Sequence, residues 1–558
     1  MSGSSVHAGT ARSAPGLAAL DRLFEPFARS DAPGLVVGVA HASRVVYRRG
    51  FGLASVELGV ANAAATRMRI GSTSKHFTCL AVLLLAEEGR VDLDSSVRRY
   101  VPELPVLAGE PTLRQLMNHT GGYRCYLDLG LVADGLAVQP RGTALATQVR
   151  QTAANFRPGE KLIYCNGGYH LLSVVVDRVS GVSFERFLEQ RIFAPLGMVD
   201  TASVPSDLEI HRGMATLHLA QPDGSWRRGI FPSEEVRGEG GIVSTLDDML
   251  AWLAHLRAAE KTVGSPDSWR QMLEPAKLND GTVSKYALGL IREDYRGLEV
   301  IHHGGAVFGG TCQMITAPGA ALDVVIMTNG ALANAPELAL RIIDELGAEA
   351  LRGPATPRAA VDRFRAMLGQ RYHCRTTGIG IGFGEAADGR LGLSILNFVP
   401  IALKETDAGQ ALTVGVEDIA VGPLTVRTAD LAESGEAPES LRFSEAGHED
   451  RFERMPANPP VLADAAPSLL GRYRAADLAA DADLRLVDGK LLLHIAGVCG
   501  GNTLALEVWS ADVFAWAGVS VPMLRGLINV KRDPSGVVEG FSLDTMRTRG
   551  LSFQRQPS

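Results

Sequence analysis

The chain has 558 residues, a formal net charge of −7, and is 46% hydrophobic and 21% charged. That length predicts about three domains, with enough apolar sequence to bury large cores without disulfide or metal staples. The balance of charge excludes a basic nucleic-acid-binding face, and no run of about 18 apolar residues is present to span a membrane.

Residues 1–15 are small and polar and are expected to be disordered. They carry no apolar segment behind a charged start, so no secretory signal is expected. From Gly34 two β-rich runs, Leu35–Ala40 and Val45–Arg49, flank a short polar turn and predict an antiparallel hairpin. Helical patterns dominate from Ser72 to about Gly197. They include Lys75–Glu88 and a stretch from Gly167 that stops at Ser180-Gly181. Thr245–Arg257 is a further helix, with Ser244 as its expected N-cap. Strand character returns at Tyr286–Ile291, Leu298–His302, Gly310–Thr316 and Ala321–Thr328, before a last helix at Pro336–Leu346. This is an α+β layout in which the first and last strands can share one sheet.

At Arg352 the composition turns to a Pro/Ala linker, and a second linker covers Met455–Ser468. Short strands with turns follow each, such as Ala411–Val416 before the second linker and Val513–Ala517 after it. The expected organisation is a catalytic region at 16–350 and two small antiparallel β domains, barrels or sandwiches, at 360–455 and 466–556. Gly378–Gly384 (GIGIGFG) does not fit the spacing of a dinucleotide loop and is expected to be strand or turn. The six cysteines, Cys79, Cys125, Cys165, Cys312, Cys374 and Cys499, are far apart. They read as free thiols in a reducing compartment, which with the missing signal predicts a cytoplasmic protein.

Three short motifs carry chemistry. In Ser72-Thr73-Ser74-Lys75 the hydroxyl and amine stand three residues apart and share one face of a helix. A helix start offers N–H groups to an oxyanion, and burial beside it lowers a lysine toward the neutral amine that can accept a proton. Alone this spacing arises by chance about once in such a chain, as a cap followed by a solvated lysine. Tyr164-Cys165-Asn166 offers a phenol to relay a proton and an amide to bind a carbonyl. His303-Gly304-Gly305-Ala306 lies on a predicted strand where the glycines allow close approach of a ligand. His302 and His303 face opposite sides of that strand and cannot readily share an ion, so no metal and no cofactor is expected.

Taken in order, S-x-x-K, Y-x-N and H-x-G resemble the signature of the serine β-lactamase and penicillin-binding-protein superfamily. The flanks RIGSTSKHFTCLAVLLLAEEG, TLRQLMNHTGG, FRPGEKLIYCNGGYHLL and GEGGIVSTLDDMLAW are similar to it too. Within it the chain most resembles the D-aminopeptidases, in S-x-S-K-x-F-T-C, in H-G-G-A-x-x-G-x-x-C-Q and in the two β-rich tail regions. The resemblance implies that Ser72 forms an acyl-enzyme, that Lys75 and Tyr164 share the proton work, and that the backbone N–H groups of Ser72 and Ala306 form the oxyanion hole. It assigns Asn166, His303 and Gly305 to substrate binding, and it implies a homodimer acting on a small molecule or short peptide. His303 stands where many relatives have lysine, so weaker capture of a substrate carboxylate is expected. The family's loop from the last domain, which carries an acid that selects a free amine, is expected at Trp516–Leu524. Here that loop has no acid, and Trp516 becomes the candidate contact. An aminopeptidase or amidase releasing D-residues, a broader esterase or β-lactamase-like hydrolase, and a catalytically weak ligand-binding scaffold all remain open.

Overall fold

In the computed structural model, residues 15–330, 333–353, 359, 361–386, 389–406, 410–414, 424–432, 435–445 and 448–557 are described. Residues 1–14, expected to be disordered, most of the Pro/Ala linker and the end of the strand expected at Ala411–Val416 lie outside them.

A six-stranded antiparallel sheet is formed by β1 (Leu35–His41), β2 (Arg44–Phe51), β3 (Ile291–Tyr295), β4 (Leu298–Val307), β5 (Gly310–Ala317) and β6 (Leu322–Thr328), in the order β3-β4-β5-β6-β1-β2. The first and last strands therefore do meet, Leu35 opposite Thr328 and His41 opposite Leu322. Ala42 and Ser43 both take positive φ, 48° and 63°, which gives a two-residue turn whose twist matches its strands. Strand β1 is apolar and buried from Leu35 to Ala40 because it is covered on both faces. Leu35, Val37 and Val39 face Leu20, Phe24, Leu338 and Ile342 of the terminal helices. Val36 and Ala40 join the core built with the central helices.

Those central helices include α1 (Lys75–Glu87), α2 (Tyr126–Asp134), α3 (Asn166–Ser180) and α4 (Leu246–Arg257). Helix α3 ends at Gly181 with φ 77°. Helix α4 is capped by Thr245, whose hydroxyl accepts the Asp248 N–H. The expected cap, Ser244, instead ends a short strand and pairs with the Thr201 hydroxyl at 2.7 Å. The strand expected at Tyr286–Ile291 begins only at Ile291: Ala287 N–H closes a turn onto Leu290 O at 2.7 Å, and Tyr286 is a fully buried residue before it.

Two closed eight-stranded antiparallel barrels follow, from Arg371–His373 to His448–Arg454 and from Gly471–Ala475 to Leu551–Arg555. The glycine-rich segment near 380 is a strand of the first, Gly380–Glu385. The second packs its core on Leu129, Val132 and Ala133 of α2. A buried ion pair, Arg124 Nη1 to Asp477 Oδ2 at 2.5 Å, joins the same surfaces.

Candidate active site

Ser72 lies in a 3-10 turn, Gly71–Ser74, that runs directly into α1 at Lys75. Neighbouring side chains fix this turn from two sides: Thr73 Oγ1 donates to His303 O at 3.3 Å, and Ser74 Oγ accepts from Ile242 N at 3.1 Å. Lys75 is completely buried. Its Nζ lies 3.1 Å from Ser72 Oγ, 2.8 Å from Asn166 Oδ1 and 2.6 Å from Glu239 O. Burial lowers its pKa to about 7; the Glu239 carboxylate opposes the shift and Arg547 adds to it. At neutral pH a large share of Lys75 is thus the free amine that can take the Ser72 proton.

Tyr164 is buried with its ring 4.6 Å from the Lys75 amine. Its hydroxyl neighbours that of Ser72 without a well-formed hydrogen bond. Burial pushes this phenol well above its ordinary value, with Ser72 and Arg547 opposing, so it stays protonated and can donate.

Strand β4 passes close beside Ser72. A Cβ on Gly305 would stand 1.9 Å from Ile70 O and 2.9 Å from Ser72 N, and one on Gly71, where φ is 53°, would stand 2.8 Å from Ala306 N. The glycine at 305 therefore leaves room for the turn that carries Ser72. This approach brings the backbone of Ser72 close against Gly305 and that of Ala306 close against Gly71, and Ala306 is exposed. Their N–H groups are donors of the kind that can hold a developing oxyanion.

His303 has both ring nitrogens engaged. Cys165 N–H donates to His119 Nδ1 at 3.1 Å, so neutral His119 carries its proton on Nε2 and donates to Tyr286 Oη at 3.1 Å. Tyr286 then donates to His303 Nε2 at 3.1 Å, and His303 Nδ1 donates to Gly304 O at 2.5 Å. Burial, with the nearby Lys75, lowers His303 to about 3. The ring is neutral and its tautomer fixed by the network, so it offers no cation to a substrate carboxylate.

Trp516 requires correction. It sits on the strand Val513–Gly518 with 1% exposure, packs in the core of the second barrel, and donates to Leu527 O at 3.2 Å. The segment that reaches the site is the loop between the strands Val538–Asp544 and Leu551–Arg555. It brings Arg547 to 5.1 Å from the Tyr164 ring centroid. Sequence reasoning passed over Arg547, Glu239, His119 and Tyr286. Three of these stand in segments with a recognisable pattern, His119 in NHTGG, Glu239 in GEGG and Tyr286 at the start of the expected strand Tyr286–Ile291. Arg547 follows no motif and is brought to the site by tertiary structure alone.

Comparison with known proteins shows the family. The Beta-lactamase family model matches residues 20–348. A D-aminopeptidase of Cereibacter sphaeroides is 28% identical over 558 residues, covering 97% of this chain and 99% of that protein. One of Brucella canis is 24% identical over 542 residues, covering 94% and 96%. Among solved structures, the octameric penicillin-binding protein homologue from Pyrococcus abyssi superposes with a TM-score of 0.54 at 19% identity, covering 90% of this chain and 98% of that one. With that match spanning more than half of its length, the chain belongs to the beta-lactamase family of serine hydrolases.

Proposed function

We propose that the protein releases D-amino acids from short peptides or amides through an acyl-enzyme on Ser72. The observation that carries this reading is the Lys75 amine, 3.1 Å from Ser72 Oγ and lowered to about 7 by burial. The likeness to D-aminopeptidases along nearly the whole chain supplies the substrate class. Ser72 Oγ attacks the substrate carbonyl as its proton passes to Lys75, and the Ser72 and Ala306 N–H groups hold the oxyanion. Tyr164 hands a proton to the leaving amine. Water then cleaves the ester by the reverse proton path, freeing the acid and restoring Ser72. Asn166, whose Oδ1 is held by Lys75, keeps its amide N–H donors for a substrate carbonyl.

In this reading residues 16–350 carry the chemistry, and the regions 360–455 and 466–556 are accessory domains. We assign a homodimer in a reducing, cytoplasmic setting, consistent with six unpaired cysteines; no helix among the described residues is long and apolar enough to cross a membrane. A second reading, a broader esterase or amidase that accepts N-acylated substrates, is favoured by one observation: the loop reaching the site carries an arginine, not an acid.

The test is turnover of D-alanine p-nitroanilide, its L-enantiomer, its N-acetyl form and p-nitrophenyl butyrate, with Ser72 labelled by a fluorophosphonate. Cleavage of the free D-amide ahead of the others supports the first reading. Equal cleavage of the N-acetyl form or the ester supports the second, and an unlabelled Ser72 overturns both.

A further inference from the structure

Apart from helping to keep the Lys75 pKa low, Arg547 takes no part in the acyl transfer described above, yet it is held at the site by an organised loop. Thr545 Oγ1 accepts the N–H groups of Arg547 and Thr548, at 3.1 and 3.0 Å, and donates to Asp128 Oδ2 at 2.6 Å. Asn155 binds both sides of the tip, its Nδ2 donating to Arg547 O at 2.9 Å and its Oδ1 accepting Arg549 N–H at 2.8 Å. Arg124 donates to the carbonyls of Arg549 and Gly550 at 3.0 and 2.9 Å. Asp544 accepts the Gly550 N–H at 2.7 Å. The backbone beneath Arg547 is thus fixed from the catalytic region and from the barrel at once.

The guanidinium itself is little used. Among the described residues its one ionic neighbour is Asp128 Oδ1, at 3.9 Å, too far for a hydrogen bond, and the side chain keeps 37% of its surface open. It therefore faces the catalytic Tyr164 as a fixed cation with free donors. The other candidate cation, His303, is neutral with both nitrogens engaged. A planar fork with free donors is the group best suited to a carboxylate.

We propose that Arg547 binds a substrate carboxylate in the active site, so that the enzyme prefers amides or peptides bearing a carboxylate near the scissile bond. This rests on the acyl-enzyme reading above. The carboxylate can belong to the acyl part, as in a D-aspartyl or N-succinyl-D-alanyl group, or to the leaving part, as the free C-terminus of a dipeptide. In each case the group that the second barrel recognises is an anion and not an ammonium.

The experiment measures kcat/KM for matched pairs. One pair is D-aspartic acid α-p-nitroanilide against D-asparagine α-p-nitroanilide, another is N-succinyl- against N-acetyl-D-alanine p-nitroanilide, and a third is D-alanyl-glycine against D-alanyl-glycinamide. Wild type is expected to favour the anionic member of at least one pair by about 10–100-fold. Arg547→Gln should remove that preference, and Arg547→Lys should restore part of it. The pair that responds identifies the side on which the carboxylate sits. Equal ratios in wild type and Arg547→Gln, with both folded by circular dichroism, overturn the proposal. A purely structural Arg547 would lower both members of every pair together, which also overturns it. Fluorophosphonate labelling of Ser72 in the same preparations keeps this failure distinct from failure of the acyl-enzyme reading, which would leave Ser72 unlabelled.

Discussion

The two barrels share strand number, closure and antiparallel order, yet they stand in different relations to the chemistry. The second is fastened to the catalytic region through α2, the Arg124–Asp477 ion pair and the Arg547 loop. The first reaches the site by way of the Arg547 loop, which it touches directly: Glu445 pairs with Arg549 Nη2 at 3.2 Å, and Met546 packs on the first barrel's core. Its His373 Nε2 bonds Asn529 Oδ1 of the second barrel at 2.8 Å, and Asn529 Nδ2 donates to Asp544 Oδ2 at 3.0 Å. Asp544 in turn holds the base of the Arg547 loop. Its direct ion pair with the catalytic region, Lys161 to Asp450, is loose at 3.8 Å. A common architecture therefore says little about role; what one loop touches decides it.

Four experiments bear on that contrast, and the largest effect should lie outside both barrels. Ser72→Ala is expected to lower kcat by at least about 10⁴-fold with an unchanged melting temperature; surviving turnover would move the chemistry elsewhere. Next comes the docking of the second barrel. Arg124→Ala strands the nearly buried Asp477 carboxylate, at a cost of about 3–5 kcal/mol in denaturant unfolding. Because Arg124 also holds the carbonyls of the Arg549–Gly550 turn, kcat/KM for anionic substrates should fall as well. Lost stability with unaltered selectivity would show that the loop keeps its place without that docking.

The third is a pH profile. Lys75 must be neutral to take a proton, so kcat/KM should be level above about pH 7 and fall about tenfold per unit below it. Arg547 helps hold Lys75 low. Removing its charge in Arg547→Gln therefore lets the lysine pKa rise, and the falling limb should move to higher pH. An unmoved limb would mean that the second barrel's cation is not felt at the base.

The same contrast explains what could be read from sequence. Ser72, Lys75 and Tyr164 belong to local motifs whose helical spacing and neighbours signal their chemistry, and the structure brings all three together. The β1–β2 hairpin was equally legible, because period-two apolar patterning and a polar turn survive in one dimension. Gly305 is legible as a point of close approach, and the chain that approaches it in the structure is the turn that carries Ser72. Trp516 was misassigned because a barrel strand with an aromatic reads like a loop contact until its neighbours are known. Arg547 stands about 380 residues from Tyr164 in the chain, in a segment with no periodicity or motif, so only the docking of the second barrel could reveal it. His119 and Tyr286 share that difficulty: the tautomer of His303 depends on partners from three separate segments.

The smallest expected effect tests the first barrel. Lys161 and Asp450 are partly exposed, at 18% and 23%, and 3.8 Å apart. Such a pair gains little, because water screens it and both side chains lose freedom in forming it. Asp450→Ala should therefore cost no more than about 1 kcal/mol of stability, leaving kcat/KM within about twofold and the preference for anionic substrates in place. Lys161 lies three residues before Tyr164, so a larger kinetic effect would mean that the first barrel sets the position of Tyr164 directly. The two barrels would then act on opposite sides of the same ring, the second through Arg547 and the first through the chain that carries it.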